Sequence, residues 1–150
     1  MTPFEMLKAQ LATTVPYATH TGVQIEDIGS GTARATLDQR TETGNHIGSQ
    51  HAGALFTLGE ATSGAAMAGG FLDRLLEVFP VAATAEIAYV KVAKGTITAK
   101  ASIQGDVDAL KVELDRVGKV QFPVQVRLSN ASDVEVATMK VNWHVRKTSG

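Results

Sequence analysis

The stretch Asn45-His46-Ile47-Gly48-Ser49-Gln50-His51-Ala52-Gly53-Ala54-Leu55-Phe56-Thr57-Leu58-Gly59-Glu60-Ala61-Thr62-Ser63-Gly64-Ala65-Ala66-Met67 decides the reading of this chain. From His51 to about Gly69 there is room for five helical turns and no proline, and Gly69-Gly70 makes a stop. Small and apolar residues fall on every face of that helix, which predicts a helix buried on all sides. Between Glu42 and Asp73 the only Asp, Glu, Lys or Arg is Glu60. A carboxylate is seldom buried unless it is paired or used. No Lys or Arg stands within a helical turn or two of Glu60, so a functional reading is built around it.

Working outward, Pro3 to about Thr14 carries Phe4, Leu7 and Leu11 at helical spacing. Val23–Ile28 and Ala33–Leu37 read as strands joined at Gly29-Ser30-Gly31, a hairpin signal. A polar loop from Gln39 to Gln50 leads to the central helix. Beyond it, Phe71–Phe79 reads as a second helical piece ended by Pro80. The period then becomes two. Ala83–Val92, Thr96–Ile103, Val120–Leu128 and Val141–Val145 read as strands of a half-wet antiparallel sheet. Pro123 cannot donate to a ladder and marks a bulge or an edge. The pattern predicts an α+β fold, one domain over residues 1–150, in which a single antiparallel sheet wraps the central helix. One helix cannot cover a six-stranded face, so leftover surface and free sheet edges predict a dimer.

Composition narrows the partners. The chain has 150 residues, a net charge of −1, 44% hydrophobic and 19% charged residues, and no cysteine. Without a basic footprint there is no case for nucleic acid or an anionic membrane as partner. Without cysteine there is no disulfide framework or thiolate site. No signal peptide or membrane span is evident, so a cytoplasmic location is expected.

The chemistry begins at the helix start. The amides of Ala52 and Gly53 fall in the first turn, where N–H groups lack intrahelical partners and the helix dipole is positive. They suit a carbonyl oxygen that gains negative charge; the alternative is that both residues serve only close packing. Glu60 stands seven residues beyond Gly53 on the same stripe, ~10 Å along the axis. A base must approach its carbonyl or water within roughly 3–3.5 Å. Glu60 therefore serves a carbonyl held by a second, antiparallel copy of the helix. The structural alternative is a carboxylate pinned by Thr57 or Ser63. Asn45 either orients water or carbonyl or closes an Asx turn. His46 and His51, five apart and without a third ligand, make a metal site improbable, and His51 fits better as a helix-start residue bonding backbone.

Asn45, then His51, Gly53 and Glu60 at these spacings resemble the hotdog-fold acyl-CoA thioesterases, nearest to the phenylacetyl-CoA thioesterase-like (PaaI-like) branch. Thr84-Ala85-Glu86-Ile87-Ala88-Tyr89-Val90-Lys91 and Lys94-Gly95-Thr96-Ile97-Thr98-Ala99 are also similar to strands of that family. The resemblance implies a five- to six-stranded hotdog, paired into dimers and often tetramers, that acts on acyl-CoA with no cofactor or metal. It places Glu60 as general base or nucleophile, the Ala52 amide as oxyanion donor, and Asn45 as a positioner of thioester or water, with His51 and Gly53 completing the motif. Ala52 departs from the family's first glycine, and Glu rather than Asp stands at 60. Phe56, Ser63, Met67, Phe71, Thr84 and Tyr89 are candidates to line an aromatic or an aliphatic pocket. Ser63 and Thr84 are also the candidates for the family's downstream hydroxyl, and Lys91 and Lys94 for CoA. A hotdog hydratase or dehydratase, which pairs a His with an acid, is the enzyme alternative. A non-catalytic acyl-CoA binding module is the other.

Overall fold

In the computed structural model, which describes residues 1–148, two N-terminal helices precede the first strands: α1 (Pro3–Thr14) and α2 (Pro16–Thr21). Thr2 and Glu5 cap α1 reciprocally. β1 (Val23–Gly29) and β2 (Thr32–Leu37) form the expected hairpin, turning through Gly31 at φ +87°. The central helix α3 (Ala52–Gly70) follows, then β3 (Val78–Tyr89), β4 (Ile97–Ile103), α4 (Val107–Val117), β5 (Lys119–Ser129) and β6 (Glu135–Lys147).

The six strands form one antiparallel sheet in the order β1-β2-β4-β5-β6-β3, and α3 lies across its inner face against β1, β2, β4 and β5. This is a sheet wrapped around a helix, the hotdog arrangement. The inner residues Ala35, Leu37, Ile97, Ala99, Val124, Val126, Leu128 and Val141 alternate along their strands and are fully buried, together with Leu58 and Ala66 of α3. Alternation with a period of two puts every second side chain on one face, which is why the sequence pattern maps so directly onto this core.

Four sequence expectations are corrected, and one is refined. Leu72–Glu77 forms only a short 3-10 turn, and Phe79 and Pro80 belong to β3 rather than to a helix. The long β6 supplies a pairing partner as far as Val78↔Lys147, and Pro80 is tolerated because β3 is an edge strand. The predicted strand from Ala83 to Val92 ends at Tyr89, where the amides of Val90 and Lys91 both turn to the Val136 carbonyl. Pro123 marks no bulge but a local edge, as expected: it pairs in register with Asn142 of β6, while on its other side β5 has run past its pairing with β4. Its carbonyl accepts from Gln104 on the β4 side, and its nitrogen faces that side too, beyond the last β4–β5 pair, Ile103↔Val124. The helix α4, capped by Asp106 and ended by Gly118 in the left-handed conformation, lies in a segment read as neither helix nor strand. Finally, α3 is not buried on all sides. Gly53 and Phe56 are exposed and Glu60, Ala61 and Gly64 half-buried, a stripe at helical spacing that the sheet leaves open.

Candidate functional site

The start of α3 is built by the loop before it. Asn45 closes an Asx turn: its Oδ1 accepts from the amides of Ile47 (3.1 Å) and Ser49 (3.0 Å), and its Nδ2 donates to Ser49 Oγ (2.9 Å). The Asn45 amide therefore holds the loop in shape. Gln50, 2% exposed, donates from Nε2 to the carbonyls of Leu37 and Gly95, both at 3.1 Å, and so ties the loop to the sheet. His51 is the N-cap: its Nδ1 accepts the Gly53 amide at 2.8 Å. A side chain at Gly53 would bring its Cβ to 3.1 Å from that nitrogen, so glycine leaves room for the cap. The Tyr89 hydroxyl donates to the Ala52 carbonyl at 3.0 Å and anchors the helix start to the end of β3.

This arrangement separates the two candidate amides. The Gly53 N–H is taken by His51, whereas the exposed Ala52 N–H meets no acceptor among the described residues. The Ala52 amide is thus the free donor at the positive end of a 19-residue helix. Ala52 and Asn45 border a cavity of about 410 Å³ together with Tyr89 and Lys91.

Glu60 lies two turns on, in the wall of a different, mostly apolar cavity of about 590 Å³. No side chain or amide among the described residues donates to its carboxylate, and no cation pairs with it. The hydroxyls suspected of pinning it are engaged elsewhere: Thr57 donates to the Gly53 carbonyl at 3.0 Å and Ser63 to the Glu60 carbonyl at 2.7 Å. The one other charged residue of the cavity, Lys8, directs its ammonium to the Glu26 carbonyl at 3.4 Å. Burial without compensation pushes the Glu60 carboxyl above its ordinary range. Behind it, Trp143 of β6 donates from Nε1 to Ser63 Oγ at 3.0 Å, locking the strand to the helix at the height of Glu60. Gly64 makes room for the indole, since a Cβ there would sit 3.3 Å from Trp143 Cζ2.

Within one chain the structure does not bring the Ala52 amide and the Glu60 carboxylate together; they border separate cavities. Of the pocket candidates, Met67 lines the Glu60 cavity. Phe71 is stacked on Phe122 in the core, with centroids 5.2 Å apart, and Thr84 accepts from Asn142 at 2.7 Å. Phe56 sits 36% exposed on the open stripe. His51 pairs with no acid, and no group of three or more His, Cys, Asp or Glu suited to a metal occurs among the described residues. Sequence reasoning missed Gln50, the tie from Trp143 to Ser63, and above all the contribution of α1 and α2 to the Glu60 cavity. Their alanines carried no chemical signal. The α4 helix did have one: Asp106, apolar Val107, Leu110 and Leu114, then Gly118.

The hotdog fold is shared with solved structures across nearly the whole chain. A Pseudomonas aeruginosa protein of unknown function and probable thioesterase, PA5026, is 25% identical over 97% of both chains, with a TM-score of 0.84. The Haemophilus influenzae thioesterase HI1161 is 17% identical, covering 98% of this chain and 92% of its own, at a TM-score of 0.78. The E. coli PaaI protein, from the phenylacetic acid degradation operon, is 19% identical over 98% and 95%, at 0.75. At 17% and 19% these two likenesses speak to the fold alone. No curated protein matches the sequence significantly. The model of a domain of unknown function, DUF4442, matches residues 4–145, and the chain belongs to that family.

Proposed function

We propose that this protein is an acyl-CoA thioesterase that hydrolyses a thioester to a free acid and CoA, without cofactor or metal. The observation that carries the reading is Glu60: a half-buried carboxylate with no donor, on the one open stripe of α3, in the wall of a ligand-sized apolar cavity. The free Ala52 amide supplies the second requirement, a fixed donor where an oxyanion develops. The probable thioesterase that shares 25% identity with this chain supports the same class of reaction.

In this reading the site is shared by two copies. Glu60 of one subunit faces a thioester carbonyl whose oxygen rests on the Ala52 N–H of the other. The carboxylate takes a proton from water, whose oxygen bonds to the carbonyl carbon. The C–S bond then breaks, and the CoA sulfur leaves with the proton that Glu60 returns. Direct attack by Glu60 on the carbonyl carbon, followed by hydrolysis of the anhydride, is the other route open to the same geometry. The outer edge of β3 is the surface that suits pairing of the copies. It is a 12-residue edge strand with Phe79 50% and Val81 41% exposed.

Thiol release from a panel of acyl-CoA esters tests the proposal. The expected result is turnover by the wild-type protein that Glu60→Gln abolishes while dimerisation and ligand binding persist. Binding without turnover by the wild-type protein makes it an acyl-CoA binding module instead.

A further inference from the structure

The cavity beside Glu60 is larger than anything hydrolysis itself needs. Packed interiors keep few voids bigger than a water molecule, whereas ligand pockets run from about 300 to 1,000 Å³. At about 590 Å³ this cavity belongs to the second kind. It is held open by small residues on both walls: Ala61, Gly64 and Ala68 on α3, and Ala9 and Ala12 on α1. Glu60 and Ala68 both border it, and eight residues of helix between them amount to ~12 Å. The cavity is therefore long, with the carboxylate at one end of the α3 wall. Leu11, Val15, Met67 and Leu75 complete its apolar lining.

The lining is not suited to grip a ring. Trp143 is the one aromatic residue in the wall, turned edge-on to Gly64 and tied to Ser63. Phe71 is committed to its stack on Phe122, and Tyr89 borders the other cavity. An extended saturated chain gains ~1.3 Å per methylene from C–C bonds of about 1.5 Å, so ~12 Å accommodates roughly eight to ten carbons.

Resting on the thioesterase reading, we infer that the acyl group is an unbranched aliphatic chain of about eight to ten carbons, held between α1 and α3 with its thioester at Glu60 and its tail toward Met67 and Ala68. The helices α1 and α2 are then the specificity elements of the site, roofing the chain with alanine, leucine and valine. Each methylene moved from water to such a wall is worth up to about fourfold in kcat/KM. Going from a four-carbon to an eight-carbon ester should raise kcat/KM by roughly 10²-fold on that scale.

The experiment has two arms. In the first, acetyl-, butanoyl-, octanoyl-, dodecanoyl-, benzoyl- and phenylacetyl-CoA are assayed by thiol release with the wild-type protein, Ala12→Trp and Ala9→Phe. In the second, non-hydrolysable S-alkyl-CoA thioethers of the same chain lengths are titrated calorimetrically. The expected result is a wild-type optimum at octanoyl-CoA that either substitution moves toward shorter chains. Both alanines line the cavity yet are exposed, so a larger side chain there has room, and if one variant fails to fold the other reports. A best substrate among the aryl esters, or rates indifferent to chain length, overturns the assignment and leaves the thioesterase reading standing. If no ester is hydrolysed but thioether affinity climbs with chain length, the thioesterase reading fails while the chain-binding cavity holds. No hydrolysis and no dependence of affinity on length overturns both.

Discussion

At the residue scale, Glu60 has a measurable consequence even apart from catalysis. Its carboxyl is pushed above the ordinary range by burial, so the folded protein favours the protonated form. Stability from this group is therefore full below the unfolded pKa and is lost as pH rises through the folded one, at about 1.4 kcal/mol per unit of separation. Glu60→Gln should raise the melting temperature at pH 8 by a few degrees, and the gain should vanish at acid pH. A scan showing the same difference at both pH values would remove the burial argument. In the wild-type protein thioester turnover should climb with pH through that raised value, and Glu60→Gln should lose on the order of 10²–10⁴ of it. Ala52 permits a cleaner test than its neighbours. It is the first residue of α3, where proline is tolerated, and His51 before it is already extended, at φ −67° and ψ 143°. Ala52→Pro should fold, lose the one free amide, and lose on the order of 10²–10³ in turnover, while Ala52→Gly keeps activity. Normal kinetics from a folded proline variant would take the oxyanion role away from this amide.

At the scale of elements, the position of α3 against the β1–β2 hairpin sets where Glu60 points. The closest approach is at the far end of the helix. A Cβ on Gly69 would land on the Gly29 carbonyl oxygen and within 2.7 Å of Ile28 Cγ2, so helix and hairpin would have to move apart. Gly69→Ala should therefore cost about 2–3 kcal/mol as overpacking, a fall of roughly 5–10 °C in melting temperature for a domain of this size. An unchanged melting temperature would mean that α3 is free to slide on the hairpin. At the other end the helix start is held by three short ties: His51 to Gly53, Tyr89 to Ala52, and Gln50 to Leu37 and Gly95. Helix ends ordinarily fray, so this bracing is what gives the Ala52 amide a fixed direction.

For the whole molecule, the proposed chemistry requires a second copy. The Ala52 amide and the Glu60 carboxylate of one chain border different cavities, and the edge of β3 is long, apolar and unpaired. Light scattering should give at least twice the 15.8 kDa of one chain. Val81→Lys, which places a charge on that edge, should lower the mass and the activity together. A fully active monomer ends the shared-site model.

The sequence alone determined that a sheet wraps a helix, because each strand reports its own buried face through a period of two. The run of small residues in α3 likewise reports how closely the sheet approaches. It also singled out Glu60, through the absence of any nearby cation, and the α3 start, through Ala52 and Gly53. Other features belong to tertiary structure. Which of the two amides is free depends on where the His51 ring falls. That β3 reaches back to Val78 depends on the length of its partner β6. The cavity beside Glu60 is the clearest case, since it joins Ala12 of the first helix, Glu60 of the central one and Trp143 of the last strand. A cavity is space left between elements, and local periodicity records which residues are covered, not where their packing leaves a gap.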